Sequence, residues 1–286
     1  MLSPTGQNGP IAIQGERGSY SEEAARDLLG PNLSCRCCRT FEEIFRLTKE
    51  GEVPHCLVPL ENSLAGSIYK NYDLLSRYRL RIIRETNLLI HHNLIAVPGA
   101  TFAEIRTVFS HPVALDQCEK FFARYPNLER RTAYDTSGSV KEIVERNLRD
   151  CAAIAGQGAA EFYGGQILMS GIEDNEENFT RFVLLGTEME VSDLANKTSI
   201  VFSFRNAPGA LFKCLSVFAL RDIDLTKIES RPIPGRPWEY VFYIDFLGNI
   251  KEMRVKRALS HLEEITEFLE LLGCYPAASA ALAKGM

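Results

Sequence analysis

No apolar run in this 286-residue chain approaches the roughly 20 residues that cross a bilayer, so no membrane span is expected. Positive charge is in deficit. Thirty-two Lys and Arg face 37 Asp and Glu, a formal net charge of -5, which argues against nucleic-acid and anionic-membrane partners, because both reward a concentrated basic surface. The opening MLSPTGQNGP has neither a positive start followed by an apolar run nor the Arg-rich character of a transit peptide. The resulting expectation is a cytoplasmic, reduced protein, since a chain this rich in core-forming residues has no need of disulfide staples for its eight cysteines. Phosphate loop, zinc-protease helix and nucleophile elbow are all missing. Cys35, Cys37 and Cys38 have no second knuckle, and His55, His91, His92, His111 and His261 make no ligand set, so no metal is expected. His91 and His92 are read as lying on opposite faces of a strand.

What is there is ordinary globular material, 45% hydrophobic and 24% charged, long enough for about two domains. Short apolar runs alternate with capped helices, the mark of an α/β layered fold. Residues 11–14 read as a strand, followed by Gly15, Gly18 and a capping box at Ser19 with Glu22. A second capping box, Thr40 with Glu43, opens the next helix. Strands are expected at 56–60, within 80–97, and at 107–110, 130–133, 151–155, 167–169 and 182–185. Helices are expected at 113–124, 137–148 and 156–163. A polar stretch at 188–197 reads as a linker between a first domain at 10–187 and a second at 198–276. The second has a strand–helix–strand–strand–helix–strand order, the ferredoxin-like βαββαβ pattern. Its second helix carries Val255, Leu259, Leu262 and Ile265 on one face.

Chemistry-bearing residues cluster at strand ends, where open α/β sheets bind ligands. They are Glu61-Asn62-Ser63, Ser110-His111-Pro112 with Gln117, Asp135-Thr136-Ser137-Gly138, and Thr180-Arg181. Each alone is as consistent with helix capping as with binding. Together they offer amide and hydroxyl donors and one arginine, a set suited to a carboxylate-rich small molecule.

Asn178-Phe179-Thr180-Arg181-Phe182, Pro59-Leu60-Glu61-Asn62-Ser63 and Ser110-His111-Pro112 with Gln117 resemble the motifs of the prephenate dehydratase family. Gly209-Ala210-Leu211-Phe212 and Glu229-Ser230-Arg231-Pro232 resemble the two phenylalanine-site motifs of the ACT domain attached to these enzymes. The resemblance runs from about Ile11 to Pro276, and Asn71-Tyr72-Asp73-Leu74-Leu75 with 220–232 looks like the plant arogenate dehydratase branch. Gln14-Gly15-Glu16 departs from the family's frequent glycine–proline turn, and no chorismate mutase bundle precedes the first strand.

The resemblance implies a two-lobed catalytic domain like a periplasmic binding protein, with its site in the cleft, followed by the ACT domain. It implies decarboxylating dehydration of prephenate to phenylpyruvate without cofactor, or of arogenate to L-phenylalanine. A non-catalytic amino-acid sensor is the remote alternative. It makes Thr180, Asn62 and Gln117 catalytic, with Arg181 on the substrate's side-chain carboxylate and Glu61, Ser63, His111, Thr136, Ser137 and Phe182 around the substrate. It places an L-phenylalanine effector against Asn206, Gly209, Ala210, Leu211, Phe212 and Glu229, Ser230, Arg231, Pro232 in a homodimer or homotetramer.

Overall fold

The computed structural model describes residues 9–233 and 235–278. Residues 1–8, which carry most of the leader reading, lie outside the described residues. Among those described, no helix is long and apolar enough to cross a membrane. Residues 9–78 with 86–183 form one compact unit, and residues 79–85 with 184–278 form another.

In chain order the first lobe runs β1 (Ile11–Gln14), α1 (Tyr20–Leu29), β2 (Cys35–Cys38), α2 (Phe41–Lys49), β3 (His55–Asn62), β4 (Gly66–Ser67), α3 (Tyr69–Tyr78) and β5 (Arg81–Leu89). The chain then crosses into a second lobe of β6 (Asn93–Ala96), β7 (Thr107–Ser110), α4 (Pro112–Asp116), α5 (Glu119–Arg124), β8 (Glu129–Thr132), α6 (Thr136–Glu145), β9 (Cys151–Ala155), α7 (Gln157–Tyr163) and β10 (Gln166–Ser170). It returns to the first lobe in β11 (Phe179–Gly186). The strand orders are β5-β11-β3-β1-β2 in one lobe and β10-β6-β9-β7-β8 in the other. The two lobes are the arrangement that the family resemblance implied, and the structure shows them joined by two crossings.

Both capping boxes form, with a shift. Ser19 and Thr40 accept from the N–H groups of Glu22 and Glu43. The returning glutamates reach one residue further back than usual, to Gly18 N at 2.7 Å and Arg39 N at 3.1 Å. The helix expected at 113–124 is broken in two. The Asp174 carboxylate, from the returning crossing, accepts from Glu119 N and Lys120 N at 2.8 and 2.9 Å and so starts α5 afresh. The break leaves Gln117 as the C-cap of α4. Residues 90–92 are crossing rather than strand, so His91 and His92 are not governed by strand alternation. His92 is buried and His91 exposed.

The second unit contains β12 (Lys197–Ser203), α8 (Ala210–Ala219), β13 (Leu225–Pro232), β14 (Tyr240–Leu247), α9 (Met253–Ile265) and β15 (Phe268–Tyr275), the βαββαβ order. Its strands lie β13-β14-β12-β15, each neighbouring pair antiparallel. Phe202, Val217, Phe218, Ile244, Phe246, Val255 and Leu262 fill its core. Residues 79–85 join this unit because Ile82 pairs with Gly273, Arg81 bonds Glu270 at 2.7 Å and Lys197 bonds Glu85 at 3.0 Å.

Candidate active site

The two lobes of the first unit enclose a cavity of about 440 Å³. The ends of β3 and β11 bring Asn62 and Thr180 to its wall, and the helix break brings Gln117. Phe182, two residues along β11 from Thr180, lines it as well. A larger recess of about 780 Å³ lies elsewhere in this unit, but Glu22, Glu23, Asp27 and Glu161 line it. Four carboxylates with one arginine would repel an acidic ligand, so the smaller cavity is the better candidate.

A continuous hydrogen-bond chain fixes the polar wall. Asn62 Nδ2 donates to Asn178 Oδ1 at 2.7 Å and to Thr180 Oγ1 at 3.0 Å. Asn62 Oδ1 accepts from the N–H groups of Leu64 and Ala65. Gln117 Oε1 accepts from Asn178 Nδ2 at 3.0 Å and stands 3.0 Å from His92 Nε2. His92 Nδ1 in turn lies 2.8 Å from the Tyr20 hydroxyl. Gln117 Oε1 can only accept, so His92 donates from Nε2, and the single Tyr20 hydroxyl proton is shared between His92 Nδ1 and His91 O, both at 2.8 Å. That is a neutral imidazole, in keeping with burial pushing the His92 pKa down. Thr180 Oγ1 accepts from Asn62 at the cavity wall, which leaves its own hydroxyl proton available to donate.

Desolvation also lowers the pKa of His55 and His111. The unfolded chain then takes up protons near pH 6.5 while the folded chain does not, so stability should fall as pH drops from about 6.5 toward the folded pKa values. Melting temperatures between pH 7.5 and 5.5 should show this decline. His92→Gln, which cannot titrate, should flatten it.

The positions expected from sequence divide. Thr180, Asn62, Gln117, His111, Thr136 and Phe182 line the cavity. Arg181, 9% exposed, does not, because alternation along β11 turns it to the face opposite Thr180 and Phe182. Glu61 likewise sits off the cavity. Ser63 accepts from Phe179 N and donates to Glu177 O, tying β3 to the returning crossing. Ser137 donates to Arg17 O, holding the turn after β1. Tyr20, His92, Asn178 and Lys70 belong to the cavity or its network, though no site role was expected of them from sequence. Lys70 sits in the first turn of α3, a helix the periodicity reading passed over, and is the sole Lys or Arg among the lining residues described.

A second cavity, about 270 Å³, lies wholly in the second unit and is lined by Asn206, Gly209, Ala210, Leu211 and Phe212 with aromatic Phe204, Trp238, Tyr240 and Phe242. Gly209 sits at the N-cap of α8 with φ +76, where other residues are strained. Glu229, Ser230, Arg231 and Pro232 lie at the end of β13, the edge strand of the sheet, and do not line this cavity.

Residues 11–190 match the sequence family described as prephenate dehydratase. An Arabidopsis thaliana protein named arogenate dehydratase/prephenate dehydratase 2, chloroplastic, is 43% identical over 277 residues, covering 93% of this chain and 72% of its own. Arogenate dehydratase 1 of Petunia hybrida is 43% identical over 295 residues, covering 96% and 69%. Among solved structures, a prephenate dehydratase from Arthrobacter aurescens in complex with L-Phe superposes with TM-score 0.85 at 29% identity, over 93% of this chain and 90% of that one. A protein described as a quorum-quenching acylase superposes with TM-score 0.86 at 31% identity, over 94% and 98%. The expectation of a cytoplasmic protein is overturned here, since the Arabidopsis protein above and further Arabidopsis relatives are named as chloroplastic.

Proposed function

The chain belongs to the prephenate dehydratase family, and from that premise we propose that its cleft removes carbon dioxide and hydroxide from prephenate, giving phenylpyruvate, or from arogenate, giving L-phenylalanine. It is a carbon–oxygen lyase. The electron pair of the breaking C–CO₂ bond enters the ring, the ring C–O bond breaks, and the departing hydroxide takes a proton to leave as water. Aromatisation drives the step, so the protein's work is to hold the carboxylate aligned and to stabilise charge on the leaving oxygen.

The observation that carries this reading is the Thr180 hydroxyl, held by Asn62 at the cavity wall. A donor fixed before reaction strengthens as charge develops on the leaving oxygen, with little reorganisation. Asn62 and Gln117 act through the chain that runs back to His92 and Tyr20. Thr136, His111 and Phe182 complete the wall. Lys70 takes the carboxylate role that the family resemblance implied for Arg181, being the ammonium placed on the cavity.

The second unit is the regulatory ACT domain. L-phenylalanine occupies its aromatic cavity, with the carboxylate at the N-terminus of the ten-residue α8. A second copy completes the site by bringing the Glu229–Pro232 segment of its edge strand β13 to the cavity, in a homodimer or a homotetramer. The protein works in the plastid, a reading supported by relatives named as chloroplastic.

Parallel kinetics on prephenate and arogenate, with and without L-phenylalanine, test the whole reading. Turnover of at least one substrate is expected, with a lower rate when phenylalanine is present and a calorimetric signal for its binding. No turnover of either substrate would overturn the catalytic reading. Phenylalanine binding without any kinetic effect would overturn the regulatory one.

A further inference from the structure

Asp135 is the one carboxylate among the described residues that line the cleft cavity. It is 8% exposed, at the N-cap of α6. Its Oδ2 accepts from Gly138 N and from Glu16 N, both at 3.0 Å, and Thr136 N bonds it too. These neutral donors fix the group in place without neutralising it. None of the ion pairs found among the described residues includes Asp135, and the charge that acts on it is the like-charged Glu16. Burial accordingly pushes its carboxyl group up.

Capping does not explain this cost, because asparagine and serine cap a helix as well as aspartate does. A buried carboxylate without a cation, facing a cavity, is unfavourable until a ligand brings the cation. The two candidate substrates differ at one place: arogenate carries an amino group where prephenate carries a keto group. The amino group is an ammonium near neutral pH. The keto group can only accept, and faces repulsion from a carboxylate.

We propose that Asp135 receives the α-ammonium of arogenate and makes this cleft prefer arogenate to prephenate. The proposal rests on the dehydratase reading above and names the residue that divides its two substrates. Lys70 and Asp135 then give the cavity one charge of each sign, matching a substrate side chain that carries both a carboxylate and an ammonium.

The test is steady-state kinetics on both substrates with the full chain and with Asp135→Asn and Asp135→Ser. Both variants keep an acceptor for the helix cap, and melting curves report whether each is folded. The wild-type protein is expected to favour arogenate. In both variants the ratio of kcat/KM for arogenate over prephenate should fall about 30-fold, the scale of losing one charge-assisted bond in a dry site, and mainly through KM. A ratio unchanged in both variants, whatever the absolute losses, means that Asp135 only caps the helix and overturns the proposal. Wild-type turnover of prephenate alone also overturns it. A wild-type protein inactive on both substrates removes the dehydratase reading itself, and the proposal with it.

Discussion

Thr180→Ala should lower kcat about 100- to 1000-fold, the range seen when one preorganised donor to a developing oxyanion is removed. The size of the loss follows from where the hydroxyl sits. Thr180 is 8% exposed, on the cavity wall, and accepts from Asn62 Nδ2 at 3.0 Å. In the mechanism proposed above, its own proton is the hydrogen-bond donor to the leaving group. The structural cost should be small. Asn62 Nδ2 keeps Asn178 Oδ1 at 2.7 Å and Phe179 O at 3.1 Å as acceptors, so neither of its two hydrogens is stranded. Stability should therefore change by only about 1 kcal/mol. Thr180→Ser restores the hydroxyl and should recover most of the rate. Kinetics, a thermal melt and phenylalanine calorimetry on the same preparations check all three statements. Activity of the alanine variant within a few-fold of wild type would sink the assignment of Thr180.

Gly18→Ala should destabilise the first unit by about 3 kcal/mol, lowering its melting temperature by on the order of 10 °C. Gly18 has φ +74 and sits where the turn after β1 meets α7 of the other lobe. A Cβ there would stand 2.5 Å from Gly158 O and 2.8 Å from Ala159 Cα, both backbone atoms that cannot swing aside. Gly164 separates the two causes. Its φ is +72, but nothing lies within 4 Å of its Cβ position, so Gly164→Ala isolates the dihedral cost of about 1 kcal/mol. Catalysis should suffer in Gly18→Ala beyond its stability loss. The same turn leads into Ser19 and Tyr20, and Tyr20 anchors His92 at the start of the network that ends at Thr180. Equal melting temperatures for the two variants would show that the lobes yield at this contact.

The sequence by itself determined the local parts. Ser19 and Thr40 announce their helices because a hydroxyl at an N-cap satisfies an orphan N–H wherever the helix later packs. The alternation of apolar runs and caps fixed the α/β class, and the spacing of Val255, Leu259 and Leu262 fixed a helix face before any partner was known. Asn62, Gln117 and Thr180 were legible through short motifs, each confined to a few adjacent residues.

What only the tertiary structure decided is which of these parts meet. The division of Gln117's helix depends on Asp174, 55 residues beyond Glu119, and no window along the chain contains both. Arg181 and Thr180 are neighbours in sequence, yet β11 sends them to opposite faces, and the placement of both sheet faces settled which one sees the cleft. His92 read as a scattered histidine until the crossing segment set it between Tyr20 and Gln117. Asp135 looked like a helix cap, and is one. Its second character, a buried charge on a shared cavity wall, exists because two lobes built from separate stretches of chain close over it.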